Sequence, residues 1–431
     1  MDMTKATTGP QDAEVASLSD LTRVFARIGV LSFGGPAAQI ALMHKELVDD
    51  RSWLTEAEFL RALSFCTLLP GPEAMQLATY AGWRLHGTVG GLIAGLLFVM
   101  PGACVVLTLS MVYAAFGEVP VVAALFQGVQ AAVLAIVVHA LLRVAKKALK
   151  AQWHWGLAIA AFVALFLFNI PFPVVILAAA LIGWWMARGT PRPPAAPPAP
   201  GMLAHARRQT MVWGAVWLVP LGALWLFEGG LLFQIGLFFS QLAVVTFGGA
   251  YAVLAWMTQA VVQDYGWLTT EEMIAGLGLA ETTPGPLILV NEFVGFLAGF
   301  RQGGVLLGLG GAVVALWMTF APCFLWIFAG APFVERLAQA PRLSSALVGI
   351  TAAVVGVIAN LSVWFAVHVL FGEVRTVSVG PLRLLAPDPS TLDPAALAIG
   401  VVAAYLILWR HWSLIAVMAI SAGLSLGLSL I

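Results

Sequence analysis

The chain has 431 residues, 61% of them hydrophobic and only 10% charged, with equal numbers of acidic and basic side chains. A soluble domain carries about 25% charged residues, and the mean hydropathy here is +0.95, which excludes water as the main solvent. The net charge is zero, which by itself says nothing of nucleic acid, and no basic, aromatic-interleaved stretch suggests a nucleic-acid partner, so none is expected. Cys66, Cys104 and Cys323 lack CxxC spacing and the seven histidines are scattered, so no disulfide framework, metal site, haem or other cofactor is expected, and no enzyme.

Residues 1–20 form a polar tail without the basic-then-apolar order of a signal peptide. Segments 21–48 and 56–86 are long enough to span a bilayer, but Gly34-Gly35-Pro36 and Pro70-Gly71-Pro72 interrupt them. Apolar stretches near 89–117, 121–142, 153–170 and 172–187 follow, each close to the roughly 20 residues of a membrane helix. A proline-rich linker, 189–210, then separates two halves. The helix 211–228 is read as a single crossing, and 229–431 repeats the first half, 21–188, with apolar stretches near 304–329, 343–371, 395–409 and 412–431.

The repeat is legible residue by residue. Ser32-Phe33-Gly34-Gly35 matches Thr246-Phe247-Gly248-Gly249, Trp53-Leu54-Thr55 matches Trp267-Leu268-Thr269, and Pro70-Gly71-Pro72 matches Pro284-Gly285-Pro286, all at an offset of 214. Ala131-Ala132-Val133 matches Ala352-Ala353-Val354 at 221, so a short insertion separates the blocks. Ten Lys and Arg residues lie between 20 and 150 against three between 229 and 371. By the positive-inside rule this asymmetry predicts opposite orientations, with the N-terminus and linker cytoplasmic. The predicted fold is all-α: a polytopic membrane bundle of two inverted homologous repeats, broken or re-entrant at the Gly-Gly-Pro and Pro-Gly-Pro motifs.

Irregular backbone at membrane depth survives only where protein buries it or a polar cavity is lined by it. The four breaks should therefore converge. Proline suits a helix start, and each helix N-terminus carries about +0.5 of a charge, so four together favour a small dianion without a buried lysine. Ala250 replaces the proline of the second Gly-Gly break.

Phe33-Gly34-Gly35-Pro36, Trp53-Leu54-Thr55, Pro70-Gly71-Pro72-Glu73 with Gln76, Phe247-Gly248-Gly249-Ala250 and Thr283-Pro284-Gly285-Pro286 resemble the chromate transporter (CHR) family in its long, two-domain form. The likeness runs from about 20 to 430. It implies a multi-pass carrier of the prokaryotic cytoplasmic (inner) membrane that exports chromate, a sulfate-like dianion, and confers resistance to it.

Candidate substrate-binding residues are Ser32, Phe33, Gly34, Gly35, Pro36, Gln39, Pro70, Gly71, Pro72, Gln76, Thr246, Gly248, Gly249, Thr283, Pro284, Gly285 and Pro286. The Ser32 and Thr246 hydroxyls would donate to the anion or bond back to their own helices, and the Gln39 and Gln76 amides would face the same vestibule. Glu73, Glu281 and Glu292 are candidates for coupling, since intramembrane carboxylates are costly and one beside a bound dianion favours its protonated form. Glu73 also has the simpler reading of a residue stabilised by the helix N-terminus. Arg27 would reach a cytoplasmic vestibule or snorkel to the interface. Glu46, Asp49, Asp50, Glu56 and Glu58 read as a solvated loop. Transport or exchange of sulfate or another oxyanion, or an anion channel, remain the alternatives; a membrane enzyme or respiratory anchor lacks the haem histidines or soluble domain it needs. The partners implied are a small oxyanion, chromate or sulfate, and the lipid bilayer; monomer and homodimer stay open.

Overall fold

The computed structural model describes residues 16–190, 201–227, 229–247, 249–334, 340–380 and 382–430. The first half contains α1 (Leu18–Leu31), α2 (Gly35–His44, prolonged by a π turn Lys45–Asp49), α3 (Glu56–Cys66), α4 (Glu73–Phe116), α5 (Pro120–Ala148), α6 (Gln152–Phe166) and α7 (Phe172–Met186). After α8 (Met202–Phe227) the same order returns as α9 (Leu231–Val245), α10 (Ala250–Gln259, with a π turn Ala260–Asp264), α11 (Thr270–Thr282), α12 (Val290–Gly330), α13 (Pro341–Leu370), α14 (Pro394–Leu408) and α15 (Leu414–Ser429). The all-α bundle expected from the sequence is what the chain forms.

The local signals act alike in both halves. Thr55 and Thr269 cap α3 and α11, and Glu58 and Glu272 close each capping box. The backbone breaks carry positive φ at Gly34 (+86°), Gly35 (+78°), Gly71 (+120°), Gly249 (+99°) and Gly285 (+90°), where a Cβ is strained. A one-turn 3-10 helix, Leu287–Leu289, follows the second Pro-Gly-Pro and has no counterpart before α4. It accounts for three residues of the insertion.

Two long helices are hairpins. In α4, His86 and Gly87 leave helical geometry, and a Cβ on Gly95 would stand 2.5 Å from Thr79 Oγ1. Along a straight helix these residues would be about 24 Å apart. In α12 the turn is at Gly303 and Gly304, and Asn291 Nδ2 donates to Thr319 Oγ1 at 2.9 Å across the fold-back. Each short first arm, 73–85 or 290–302, therefore runs antiparallel to its long second arm.

The short elements form further hairpins with their tips at the breaks. Arg84, near the end of the α4 first arm, meets Glu58 at the start of α3 (3.2 Å), and Arg301 meets Glu272 in the second half (2.5 Å). Arg27 in α1 meets Glu46 beyond α2 (3.6 Å); an unbroken helix through the Gly-Gly motif would hold them about 28 Å apart.

The halves interlock. Helix α5 packs against α14 and α15, while α13 packs against α6 and α7. Glycines permit the closest approaches: a Cβ on Gly128 would lie 2.2 Å from the Ser421 carbonyl oxygen, and one on the equivalent Gly349 would lie 2.5 Å from that of Ala179. Small residues at such crossings let membrane helices pack backbone to backbone.

Some expectations need correction. Helix α8 begins at Met202 rather than near 211, so Arg207 and Arg208 lie on a helix, and residues 191–200 of the linker fall outside the described residues. The loop 372–394 contains an antiparallel hairpin, β1 (Val374–Val379) and β2 (Leu382–Pro387). Glu46 is not solvated: it is 3% exposed and clasped by Arg27 and Arg51. Glu56 and Glu58 lie in the first turn of α3.

Candidate functional site

The four breaks meet in the interior, and each half supplies the partner of the other. Gly71 N–H donates to the Thr246 carbonyl at 2.7 Å, and the equivalent Gly285 N–H donates to the Ser32 carbonyl at 2.8 Å. The Pro-Gly-Pro break of each copy is thus latched to the Gly-Gly break of the other. Gln39 reinforces one latch, its Nε2 donating to the Gly285 carbonyl (2.7 Å) and the Ser32 carbonyl (3.2 Å).

Beside the latches lies a small cavity of about 20 Å³, lined by Pro36, Gln39, Pro72, Glu73, Gly249 and Pro286, with Ala74, Ala250, Leu287 and Ile288 completing the wall. These residues come from the starts of α2, α4 and α10 and from the 3-10 turn before α12. The first amides of a helix lack intrahelical acceptors, so the cavity gathers positive dipole ends, and its lining contains no Lys or Arg. Its volume admits about one water.

Individual side chains divide sharply. The Ser32 hydroxyl donates to Ile28 O and that of Thr246 to Leu242 O, each at 2.6 Å, so both take the back-bonded alternative and point no hydrogen at the cavity. Thr283 likewise bonds Ala280 O at 3.2 Å. Gln76 Nε2 donates to Pro70 O at 2.6 Å, inside its own break. The side-chain oxygens of Gln39 and Gln76 are buried without a partner among the described residues. Phe33 is partly exposed, and the Pro284 carbonyl packs at Gly102, where a Cβ would stand 2.1 Å from it. Gly248 lies outside the described residues.

Of the three candidate carboxylates only Glu73 lines the cavity. Glu281 receives a hydrogen bond from the Tyr251 hydroxyl, next in sequence to the cavity residue Ala250. Glu292 is 2% exposed, and one of its oxygens has no partner among the described residues. Tyr251 and the Leu287-Ile288 wall escaped the sequence reading, because nothing in residue type marks an apolar wall or a long-range donor. Arg27 pairs with Glu46 and lines neither this cavity nor the larger one described below. Among the described residues no three metal-binding side chains come together.

Comparison with known proteins returns one family, the chromate transporters, matched over residues 19–184 and again over 233–426. The chain is 30% identical over 394 residues to a probable chromate transport protein of Synechococcus elongatus, covering 89% of this chain and 95% of that protein. It is 32% identical over 356 residues to a chromate transport protein of Cupriavidus metallidurans, covering 80% and 82%. A chromate transport protein of Pseudomonas aeruginosa is 30% identical over 417 residues, covering 93% and 90%. No solved structure matches. The chain belongs to the chromate transporter family, in the long form with two family domains, and it is a multi-pass membrane transporter with five helices long and apolar enough to cross among the described residues.

Proposed function

We propose that this chromate transporter family member exports chromate from the cytoplasm across a prokaryotic inner membrane and so confers resistance to it, with the anion bound where the four breaks converge. The observation that carries the reading is the reciprocal pair of latches, Gly71 to Thr246 and Gly285 to Ser32, beside one cavity at four helix starts. A tetrahedral oxyanion is larger than about one water, so it enters only when the latches part. Parting frees the Gly71 and Gly285 amides, and Gln39 Nε2 where it holds Gly285, as donors. The dipole ends then supply about +2 between them. The same step that opens the space thus creates the donor set. Closing again returns those hydrogen bonds to protein carbonyls and expels the anion.

In this reading the halves lie inverted in the bilayer, the α1–α2 and α3–α4 hairpins enter from the cytoplasmic side, and rocking of one half against the other alternates access. The membrane potential favours export, since one outgoing charge gains about 2.3 kcal/mol per 100 mV and a dianion about twice that. Glu73, ionised beside a bound dianion, would repel it; protonation of Glu73 on loading and its loss on release would link proton and anion movement. Glu281 and Glu292 would act behind it, outside the cavity.

Uptake of labelled chromate into everted vesicles tests the proposal, with sulfate and molybdate as competitors. Saturable uptake above that of vesicles lacking the protein is expected; its absence with the protein inserted would refute export. In a background lacking the three cysteines, an external reagent should label a cysteine at Ser378, which is exposed on β1, and spare one at Ala196. The opposite pattern would overturn the inverted arrangement.

A further inference from the structure

A second cavity, of about 300 Å³, lies under the β-hairpin and has no role in the preceding scheme. Its floor is the far end of α10 (Thr258, Gln259), its side walls include Asn169 and Asn360, and Arg383 of β2 overhangs it. The repeat does not call for this feature: the first half joins α5 to α6 through three residues, where the second inserts the whole hairpin between α13 and α14.

The charges here are uneven. Acidic residues of the hairpin region are committed elsewhere: Glu373 to Arg375 (3.4 Å), Asp388 to Ser390, and Asp393 to the first amides of α14. Arg383 makes no ion pair among the described residues, and no carboxylate lines the cavity. Below it Thr258 is 2% exposed, and its hydroxyl has no hydrogen-bond partner among the described residues. Gln259 donates to Asn169 at 2.8 Å, holding two amides in the wall. Leaving a buried hydroxyl without a partner is costly, and a ligand oxygen would offset that cost. An uncompensated cation over a concave polar surface concentrates anions.

Position relates this cavity to the first. Helix α10 starts at Ala250, in the wall of the four-break cavity, and reaches Thr258 about 12 Å further along its axis. We infer that the cavity under the hairpin is a second oxyanion site, a staging point between the four breaks and the hairpin face, where Arg383 supplies the charge and Thr258 with the neighbouring amides supplies hydrogen bonds. It rests on the transport reading, for it lies on the route that reading requires, but it assigns residues that the central site does not use.

The test uses the full chain in proteoliposomes of known sidedness, with labelled chromate offered to one face at a time. Arg383→Gln should raise the half-saturating chromate concentration on the hairpin face about fivefold at low salt, the scale of a partly exposed charge contact. Added salt should shrink the difference. The opposite face should keep its wild-type value. Arg383→Lys should stay within about twofold on both faces, and Arg375→Gln, whose guanidinium pairs with Glu373, should match the wild type. Thr258→Val should shift the same face in the same direction. Saturable flux with an unchanged hairpin-face value in Arg383→Gln, or an equal change on both faces, would overturn this site and leave the central one standing. No flux in the wild type would remove both.

Discussion

The two halves share a backbone and differ in where their charge lies. In the first, Arg27, Arg51 and Glu46 form one ion-paired group and His44, Asp49 and Glu56 another at the base of the α1–α2 hairpin. At the offset of 214 the equivalent positions are Gln241, Tyr265 and Ala260 for the first group and Thr258, Gln263 and Thr270 for the second, none of them charged. What both halves keep is the set of backbone devices: Gly-Gly and Pro-Gly-Pro breaks, the threonine caps, and the Glu58–Arg84 and Glu272–Arg301 bridges. Duplication preserved what shapes the chain, and side chains diverged wherever the two ends meet different surroundings.

Loss of a break glycine should have the largest effect. A Cβ on Gly71 would stand 2.8 Å from Gln76 Nε2 and 2.9 Å from Cys323 Sγ, at φ +120°, whereas one on Gly35, at φ +78°, meets nothing within 4 Å. Gly71→Val should cut chromate flux at least about tenfold with insertion intact, and Gly35→Val should cut it less, since strain at such a φ costs about 1–3 kcal/mol before any clash is added. Equal, wild-type flux in both would reduce the breaks to kinks. Next comes Gln39, whose counterpart is the buried Val253. Gln39→Val makes the copies alike, removes both of its donations across the latch, and should lower kcat/KM about tenfold. An unchanged value would show that the backbone latches suffice.

Much of this architecture was legible because its signals are local. Apolar runs marked α5 to α8, α13 to α15 and the long arms of α4 and α12, and glycine-proline clusters marked the tips of the hairpins. The segment ends read at 86 and 89, and the start read at 304, fall at the fold-backs His86-Gly87 and Gly303-Gly304, but the packing of each short arm against its long arm was not read, since it depends on contacts between distant turns. The β-hairpin had a readable signal: four of the six residues Val374–Val379 are β-branched and they run up to Gly380. The latches could not be foreseen, because they join positions more than a hundred residues apart through main-chain atoms that any residue possesses. Glu46 misled for a related reason: a charged cluster reads as solvated until its partners, Arg27 and Arg51, are found around it.

Glu73 distinguishes the copies at the cavity itself: it begins α4, where α12 begins with Val290, and the inserted turn puts Leu287 and Ile288 in the cavity wall. The N-cap of α4 is Pro72, which offers no side-chain cap, and Glu73 is the acidic residue of the first turn. Glu73→Gln keeps shape and removes charge, so flux near neutral pH should stay within about threefold while the pH profile flattens. Wild-type flux should fall toward alkaline pH as the ionised carboxylate repels the dianion. An unchanged profile in the variant would leave Glu73 with only the favourable position at a helix start.

The smallest expected effect tests the charged base of the first half. His44 Nε2 contacts Glu56 at 2.5 Å and its other ring nitrogen lies 3.3 Å from Asp49. The hydrogen bond to Glu56 raises the His44 pKa above its ordinary 6.5; burial opposes the shift, and the Asp49 charge adds to it. A raised folded-state pKa means that the pair stabilises fully below the unfolded value and loses its contribution as pH climbs through the folded value. Glu56→Gln should therefore lower stability by at most about 1 kcal/mol on the acid side, and the two proteins should converge as pH rises past the His44 titration. Thermal melts of the detergent-solubilised chain across that range would measure it. The equivalent Thr258 and Thr270 do not titrate, so Thr270→Ala should shift the melt by an amount independent of pH. A Glu56→Gln difference that is equally flat would mean that His44 carries no charge in the folded protein.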